Sequence, residues 1–367
     1  FLVRIAERII RANPKYVTLV APLTTWTFTF VAGTGHIVYP LLPVIYETAH
    51  QSGIRPERPM AIATIAAQQA ITASPVAAAT AAMIGLFAEK GLTQWGLPEI
   101  LMICVPATLI GVVAGAIVSM FLGKDLNDDP EYQARLAAGK IPAPQPAGER
   151  APLKPAARLS AYFFLSGVAL VVLFGFFPEL RKLPGAKSPL GMPIVIEIVM
   201  MAVAAIMLMA TKVNVDEVPR TATLRAGVVA VIGIFGLAWL GDSFIAAHKD
   251  VIVPAIGHWA EAAPWTFAFG LFFASVLLYS QAATTRALMP LGIALGIPPQ
   301  FLIAMFPSVN GYFFIPTYGS LIAAINFDLS GTTRIGKYVV NHSFMIPGLV
   351  ATSVAVTAGL LLARVMF

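Results

Sequence analysis

Long apolar runs separated by short polar turns dominate the chain, covering residues 15–31, 37–49, 59–87, 97–122, 159–178, 191–211, 223–247, 264–284, 287–296, 299–325 and 344–366. A helix needs about 20 predominantly apolar residues to cross a bilayer. Several runs are shorter than that or interrupted, so the pattern predicts about eight complete crossings with shorter pieces between them. In lipid the backbone can satisfy its polar groups only as a helix or a closed barrel. These runs are far longer than the roughly 10-residue alternating strands of a barrel. The predicted fold is an all-α polytopic membrane protein.

The polar exception is residues 123–158, where Lys124, Arg135, Lys140, Arg150, Lys154 and Arg158 mix with Asp125, Asp128, Asp129, Glu131 and Glu149. Its Pro-rich core, KIPAPQPAGERAPLKP, predicts an extended, mobile linker. The chain then divides into a membrane part at 1–122, the polar loop at 123–158 and a second membrane part at 159–367. The first residues, FLVRIAERIIRANPK, place Leu2, Ile5, Ile9 and Ile10 at helical spacing opposite Arg4, Glu7, Arg8 and Arg11. A signal peptide puts its charges first and an unbroken apolar core after them, which this segment does not. Because Phe1 is not an initiator methionine, the expectation is a chain cut within a longer protein. The basic cluster Arg4, Arg8, Arg11 and Lys15 points to a cytoplasmic start.

A faint internal repeat accompanies this division. WTFTF from Trp26 pairs with WTFAF from Trp265, Gly53-Ile54-Arg55-Pro56 with Gly296-Ile297-Pro298-Pro299, and Ser74-Pro75 with Ile315-Pro316. The separation stays near 240 residues throughout. Two related repeats with broken or re-entrant helices are a common build of secondary transporters.

Composition narrows the class further. The chain is 58% hydrophobic and 11% charged, with a mean hydropathy of +0.80. Soluble domains carry roughly 25% charged residues, so an ordinary cytosolic enzyme, a disordered chain and a coiled coil are excluded. The single cysteine, Cys104, excludes structural disulfides and cysteine-based metal sites. The net charge of +6 is scattered between apolar blocks as flanks of membrane spans, not gathered into a nucleic-acid face.

Candidate chemistry sits where small and polar residues interrupt the apolar runs. In the first half these are Ala32-Gly33-Thr34-Gly35-His36 and Gln68-Gln69-Ala70-Ile71-Thr72-Ala73-Ser74-Pro75. In the second they are Tyr279-Ser280-Gln281-Ala282-Ala283-Thr284-Thr285-Arg286, and Ser308-Val309-Asn310-Gly311 leading to Ile315-Pro316-Thr317-Tyr318. Irregular backbone at membrane depth is tolerated where it is buried in protein or lines a cavity. Broken helices expose N-terminal N–H groups that bind anions, and neighbouring Ser, Thr, Asn and Gln side chains can complete the coordination of a carboxylate. Small residues that let helices pack closely are the bland alternative; four interruptions at matched places favour a substrate site. Arg286 carries a planar fork suited to a carboxylate, or else caps a helix end. His36 is a candidate proton carrier or a packing histidine. Asp242, in WLGDSF, is the candidate for ion or proton coupling, and Glu197 is a further acid inside an apolar run. Gly241-Asp242 is a pair shared with intramembrane aspartyl proteases, but those need two aspartates and no second membrane-embedded one is present. HExxH, GxSxG and P-loop motifs are absent from the sequence, so no metal, cofactor or catalytic residue is expected.

The blocks NPKYVTLVAPLTTWTFTFVAGTGHIVYPLLPVI, AAQQAITASPVAAA, GLAWLGDSF, LLYSQAATTRALMP, IPTYGSLIAAI and GTTRIGKYVVNHSFMIPG together closely resemble the DcuA/DcuB family of anaerobic four-carbon dicarboxylate antiporters. The resemblance runs from about Asn13 to the C-terminus and is weakest over 123–158. It implies exchange of fumarate, malate or aspartate against succinate across the bacterial inner membrane, an ion-transporter-superfamily-like architecture and no enzymatic activity. By position it implies one half-site of Gly33, Thr34, Gly35, Thr72, Ser74 and Pro75, and another of Ser280, Gln281, Thr284, Thr285, Asn310 and Thr317, with a basic residue at Arg286; His36, beside Gly35, joins the candidate site on the residue reading alone. The partners it admits are dicarboxylates, the lipid bilayer, a second copy of the chain and a sensor histidine kinase. Two other readings are open: a cation-coupled symporter of another small organic anion, built around Asp242, and a membrane sensor partner that uses the central loop.

Overall fold

The computed structural model describes residues 2–141, 155–185, 189–211, 214–220, 243, 247–248 and 263–367. Asp242, with most of the 223–247 run, and residues 142–154 of the polar loop lie outside the described residues. Among the described residues, five helical stretches are long and apolar enough to cross a membrane: Glu57–Glu89, Leu97–Met120, Ala156–Phe176, Met192–Thr211 and Met345–Met366. The remaining apolar runs of the described part are shorter helices, and the first of the five stretches is broken near its middle.

The first half begins with α1 (Leu2–Ala12), α2 (Val17–Ala32) and α3 (Leu42–Gln51). α4 (Glu57–Gln69) and α5 (Ala78–Glu89) are the two pieces of the broken stretch, and α6 (Leu97–Met120) follows. Local chemistry starts α6 cleanly: Pro98 sits in its first turn, and the Glu99 carboxylate accepts the Gly96 N–H at 2.8 Å. The polar α7 (Pro130–Ala137) precedes the long apolar helices α8 (Pro155–Phe176) and α9 (Met192–Thr211). The second half holds α10 (Phe267–Leu278), α11 (Gln281–Ala294), α12 (Pro299–Met305), α13 (Gly319–Phe327) and α14 (Met345–Met366). A tighter 3-10 segment, Phe306–Phe313, extends α12.

Contacts fix the directions of these pieces. α2 and α4 run side by side in one direction, with the Thr25 hydroxyl donating to the Ala63 carbonyl (2.8 Å) and the Ser74 hydroxyl to the Phe30 carbonyl (2.7 Å). Arg11, just before α2, meets Glu47 near the end of α3 at 2.5 Å, so α2 and α3 form a helical hairpin. A second hairpin joins α10 to α11, where Gly292 lies against Phe267. α6 and α14 pack antiparallel: Gly111 faces Ala355, and Gly115 faces Pro347 and Ala351. The end of α6 therefore shares one face of the molecule with the start of α14, while Gly359 near the other end of α14 lies against Ala304 of α12. The α2–α3 hairpin opens toward the first face and the α10–α11 hairpin toward the second.

The two hairpin tips have the same backbone. α2 ends at Gly33 (φ 69°) followed by extended Thr34, and α10 ends at Tyr279 (φ 50°) followed by extended Ser280. Glycine meets the left-handed requirement without cost, whereas Tyr279 is the sole non-glycine residue there among those described. Each following hydroxyl then caps the next turn, Thr34 accepting from the His36 N–H (3.3 Å) and Ser280 from the Ala283 N–H (3.2 Å). The broken stretches also match: extended Ala77 precedes α5, and extended Tyr318 precedes α13. Gly53 and Gly296 close equivalent turns, with Ile54 N–H donating to the Ala49 carbonyl and Ile297 N–H to that of Gly292. The Trp26 and Trp265 landmarks do not coincide, because Trp26 lies within α2 and Trp265 in the 3-10 turn before α10.

The polar loop departs from the linker expectation over its first part. Residues 125–141 fold onto the first face around a small core of Leu126, Tyr132 and Ile141. The Asp129 carboxylate caps α7 by accepting the Glu131 and Tyr132 N–H groups, and it receives Arg55 Nη1 at 2.5 Å. Arg55 also meets Glu57 at 2.5 Å, His50 and Tyr132 share a hydrogen bond at 2.7 Å, and Arg135 donates to the Ser330 carbonyl at 3.1 Å. Charge alternation read as solvated linker is thus spent on ion pairs with two separate segments of the membrane part. Burial raises the Asp129 pKa, but the two amides and Arg55 outweigh it and hold the carboxyl below its ordinary value. That stabilisation is whole above the unfolded carboxylate range near 4 and is lost as pH falls through it toward the folded value. Asp129→Asn should therefore flatten the acid limb of a melting-midpoint profile between about pH 5 and pH 3. A limb identical to wild type would remove Asp129 from this role.

Candidate functional site

The four interruptions that the sequence marks meet in space. The centre is a ring of side-chain amides. Gln281, at the start of α11, donates through Nε2 to Gln68 Oε1 (2.9 Å) and to Asn310 Oδ1 (3.1 Å). Asn310 donates in turn to Gln69 Oε1 (3.3 Å) and to the Pro307 carbonyl (3.0 Å), and Gln69 donates to the Thr352 hydroxyl on α14 (2.7 Å). Asn310 can face inward because the backbone leaves the helical region there (φ −99°, ψ 24°). Gln68, Gln69 and Asn310 are buried. An unsatisfied buried amide costs about 1–3 kcal/mol, so the ring's mutual bonding is what makes it tolerable at this depth.

Small residues bring the hairpin tip of the first half against this ring. A Cβ on Gly35 would stand 2.7 Å from Cδ of Gln68, and one on Gly33 would meet Val76 Cγ2 at 2.9 Å. Ser74, fully buried, ties the α4 break to the end of α2 through the Phe30 carbonyl, with Pro75 following it in the turn. Across the ring, the Tyr279 hydroxyl and Thr317 share a hydrogen bond at 2.5 Å, which links the second hairpin tip to the 313–318 break. Tyr279 also stacks on Tyr318, which contacts Tyr312 edge-on.

The structure sorts the residues expected from sequence. Gly35, Gln281 and Asn310 lie at the ring, and Gly33, Thr34, Ser74, Ser280 and Thr317 build the breaks around it. The hydroxyls of Thr72, Thr284 and Thr285 are turned back on their own helices, to the Gln69, Ser280 and Gln281 carbonyls. His36 is exposed and stacks on Tyr39. Arg286 faces α5, lying over Gly85 and reaching Glu89 at 3.8 Å. Glu197 is exposed on α9. Gln68, Gln69, Tyr279 and Thr352 join the set. Adjacent glutamines inside an apolar run signalled the first two; nothing in its own stretch marks Thr352, which only the packing of α14 brings in.

The ring itself is uncharged, presenting both N–H donors and oxygen acceptors. α11 starts at it, with Ser280 as cap, so its first-turn N–H groups and positive dipole end point to the same place. Such an arrangement suits a small anion carrying several acceptor oxygens. A largely apolar cleft of about 460 Å³ lies between α10 and α14, lined by Trp265, Phe269 and Phe273, and its polar groups are the hydroxyls of Ser308, Thr352, Ser353 and Thr357. Among the described residues no group of three or more His, Cys, Asp or Glu side chains could hold a metal ion.

The chain matches, over residues 1–367, the family described as anaerobic C4-dicarboxylate membrane transporter. It is 39% identical over 367 residues to the anaerobic C4-dicarboxylate transporter DcuB of Escherichia coli O6:H1, covering 98% of this chain and 81% of that protein. It is 40% identical over 368 residues to the C4-dicarboxylate transporter DcuA of Wolinella succinogenes, covering all of this chain and 83% of the relative. Identity to DcuA of Escherichia coli K12 is also 40%, across 84% of that protein. No solved structure matches the chain. It is a multi-pass protein of the bacterial inner membrane and a transporter, not an enzyme: the chain belongs to the DcuA/DcuB family of anaerobic C4-dicarboxylate membrane transporters.

Proposed function

We propose that this protein exchanges four-carbon dicarboxylates across the inner membrane by alternating access, taking in fumarate, malate or aspartate against succinate. The observation that carries the reading is the amide ring of Gln68, Gln281, Asn310 and Gln69, placed where four helix interruptions meet. The relatives' names supply the substrate class. One carboxylate would sit on the Gln281–Asn310 side under the first turn of α11, and the other toward Thr34, Gly35 and Gln68. Gly33, Thr72, Ser74, Pro75, Thr284 and Thr285 would hold the breaks in shape, with Arg286 and His36 along the approaches.

The matched tips, opening to opposite faces, support two related halves of inverted orientation, 1–122 and 159–367, with 123–158 between them. That architecture supports one assembly moving against a fixed partner around a central site. Exchange also solves the energetic problem. Moving one charge against 100 mV costs about 2.3 kcal/mol, so importing a dianion alone costs about twice that. Swapping one dianion for another cancels the cost without a coupled cation. In proteoliposomes, uptake of labelled fumarate should require succinate inside and fall to background in empty vesicles. Equal uptake into empty vesicles would sink exchange while leaving dicarboxylate binding untouched.

A further inference from the structure

On the first face, a cavity of about 550 Å³ lies between the ends of α6 and α14, away from the amide ring. Arg55, Arg334 and Lys337 line it with one carboxylate, Glu57, which is held by Arg55 and by the Ser343 hydroxyl (2.6 Å); Arg55 also pairs with Asp129 and Arg334 lies 3.4 Å from Glu131. Leu122, Ile335 and Ile346 supply an apolar side. The 335–342 hairpin closes one wall, with Ile335 and His342 paired and the Gly336 N–H donating to the Asn341 carbonyl at 2.6 Å. Its tip exposes Tyr338, Val339 and Val340, with the Lys337 ammonium 5.7 Å from the Tyr338 ring centre. Phe121, at the end of α6, is 81% exposed, and Ile346, in the first turn of α14, is 49% exposed.

We infer that this cavity binds the phosphate of an anionic phospholipid. α6 and α14 are membrane-spanning by length, and the cavity sits where they end, at headgroup depth. Exposed Tyr, Val and Phe around a cationic hollow are the side chains of a membrane interface, with aromatic groups at the headgroups and apolar ones toward the acyl chains. Lys337 then faces the phosphate with Arg334 beside it, while Leu122 and Ile346 continue the cavity into the apolar belt. A soluble anion would gain nothing from that apolar side. Lys and Arg residues also outnumber acids in two segments on this face, at 4–15 and 55–58, which is the mark of the cytoplasmic side, where anionic lipid gives the leaflet its negative potential.

The test uses the full protein in phosphatidylcholine nanodiscs, with or without phosphatidylglycerol, read by lipid retained in native mass spectrometry and by the melting midpoint. Wild type should retain phosphatidylglycerol and melt higher with it. Lys337→Ala should weaken retention about five-fold, the worth of one cation near a lipid surface. Lys337→Glu should weaken it further, and Lys337→Arg should restore it. Lys140→Glu, an exposed cation of the same face outside the cavity, should retain lipid as wild type does. Retention unchanged in Lys337→Glu overturns the proposal. So does an equal midpoint rise with soluble glycerol phosphate in pure phosphatidylcholine, which would identify a free phosphate as the ligand. Neither result bears on the amide ring, so failure here and failure of the exchange reading are separable.

Discussion

Asn310→Leu should abolish fumarate–succinate counterflow while the protein still inserts and migrates as a folded species. The side chain accepts from Gln281 and donates to Gln69 and to the Pro307 carbonyl. Leucine has a similar volume and none of this bonding. It leaves the Gln281 amide short of an acceptor and Gln69 Oε1 short of a donor, at about 1–3 kcal/mol for each buried group left unpaired. Binding suffers more than folding, because a hydrogen bond to a carboxylate is worth about 1.5–3 kcal/mol, roughly ten- to hundred-fold in affinity. Asn310→Gln, which keeps the amide at a different reach, should give intermediate rates. The decisive comparison is exchange rate against melting midpoint across the two variants. An Asn310→Leu protein that exchanges at the wild-type rate would remove the ring from the transport reading.

Gly111→Val should produce the largest loss of stability in the chain's membrane part. Gly111 sits where α6 crosses α14, against the Ala351 carbonyl, and a Cβ there would stand 2.9 Å from that of Ala355. Close approach of backbones through small residues is what holds membrane helices together, since lipid provides no hydrophobic drive between them. Overpacking typically costs about 1–3 kcal/mol, and a clash with backbone cannot be relieved by a side-chain rotation. The helices must separate, and the Gln69–Thr352 hydrogen bond separates with them. Gly270→Val, on α10 with open space around the added group, is the matched control and should leave the melting midpoint unchanged. Equal midpoints for the two variants would show that the crossing tolerates spreading.

The positions of the breaks were legible in the sequence because the cues are local. Where glycine, proline and hydroxyl residues cluster inside an apolar run the helix stops, as at Gly33-Thr34, Ser74-Pro75 and Ser280-Gln281, whereas the isolated Pro22, Pro106, Gly111 and Gly115 lie within continuous helices. Convergence followed from the matched order of the breaks. The contacting atoms were less legible. Thr72, Thr284 and Thr285 look like ligands in sequence, but a threonine within a helix readily returns its hydroxyl to the carbonyl three or four residues back. The amide partners depend on which faces of α4, α11 and the 306–313 segment meet, and no single stretch encodes that. Arg286 shows the same limit: adjacent in sequence to the ring, it lies five residues along α11 from Gln281 and on a different side of the helix, where Glu89 awaits it. Charge alternation in 123–141 carried no sign that Asp129 and Tyr132 had partners at Arg55 and His50, because those partners lie more than seventy residues away.

The folded arm around α7 reaches Arg55 and His50 on one side and Ser330 and Arg334 on the other. Residues 50–58 and 328–334 are consequently riveted to a single plate, although they come from opposite ends of the chain. Under the alternating-access reading proposed above, a stroke would have to move that plate whole or leave it whole, so the segments at 50–58 and 328–334 would travel together.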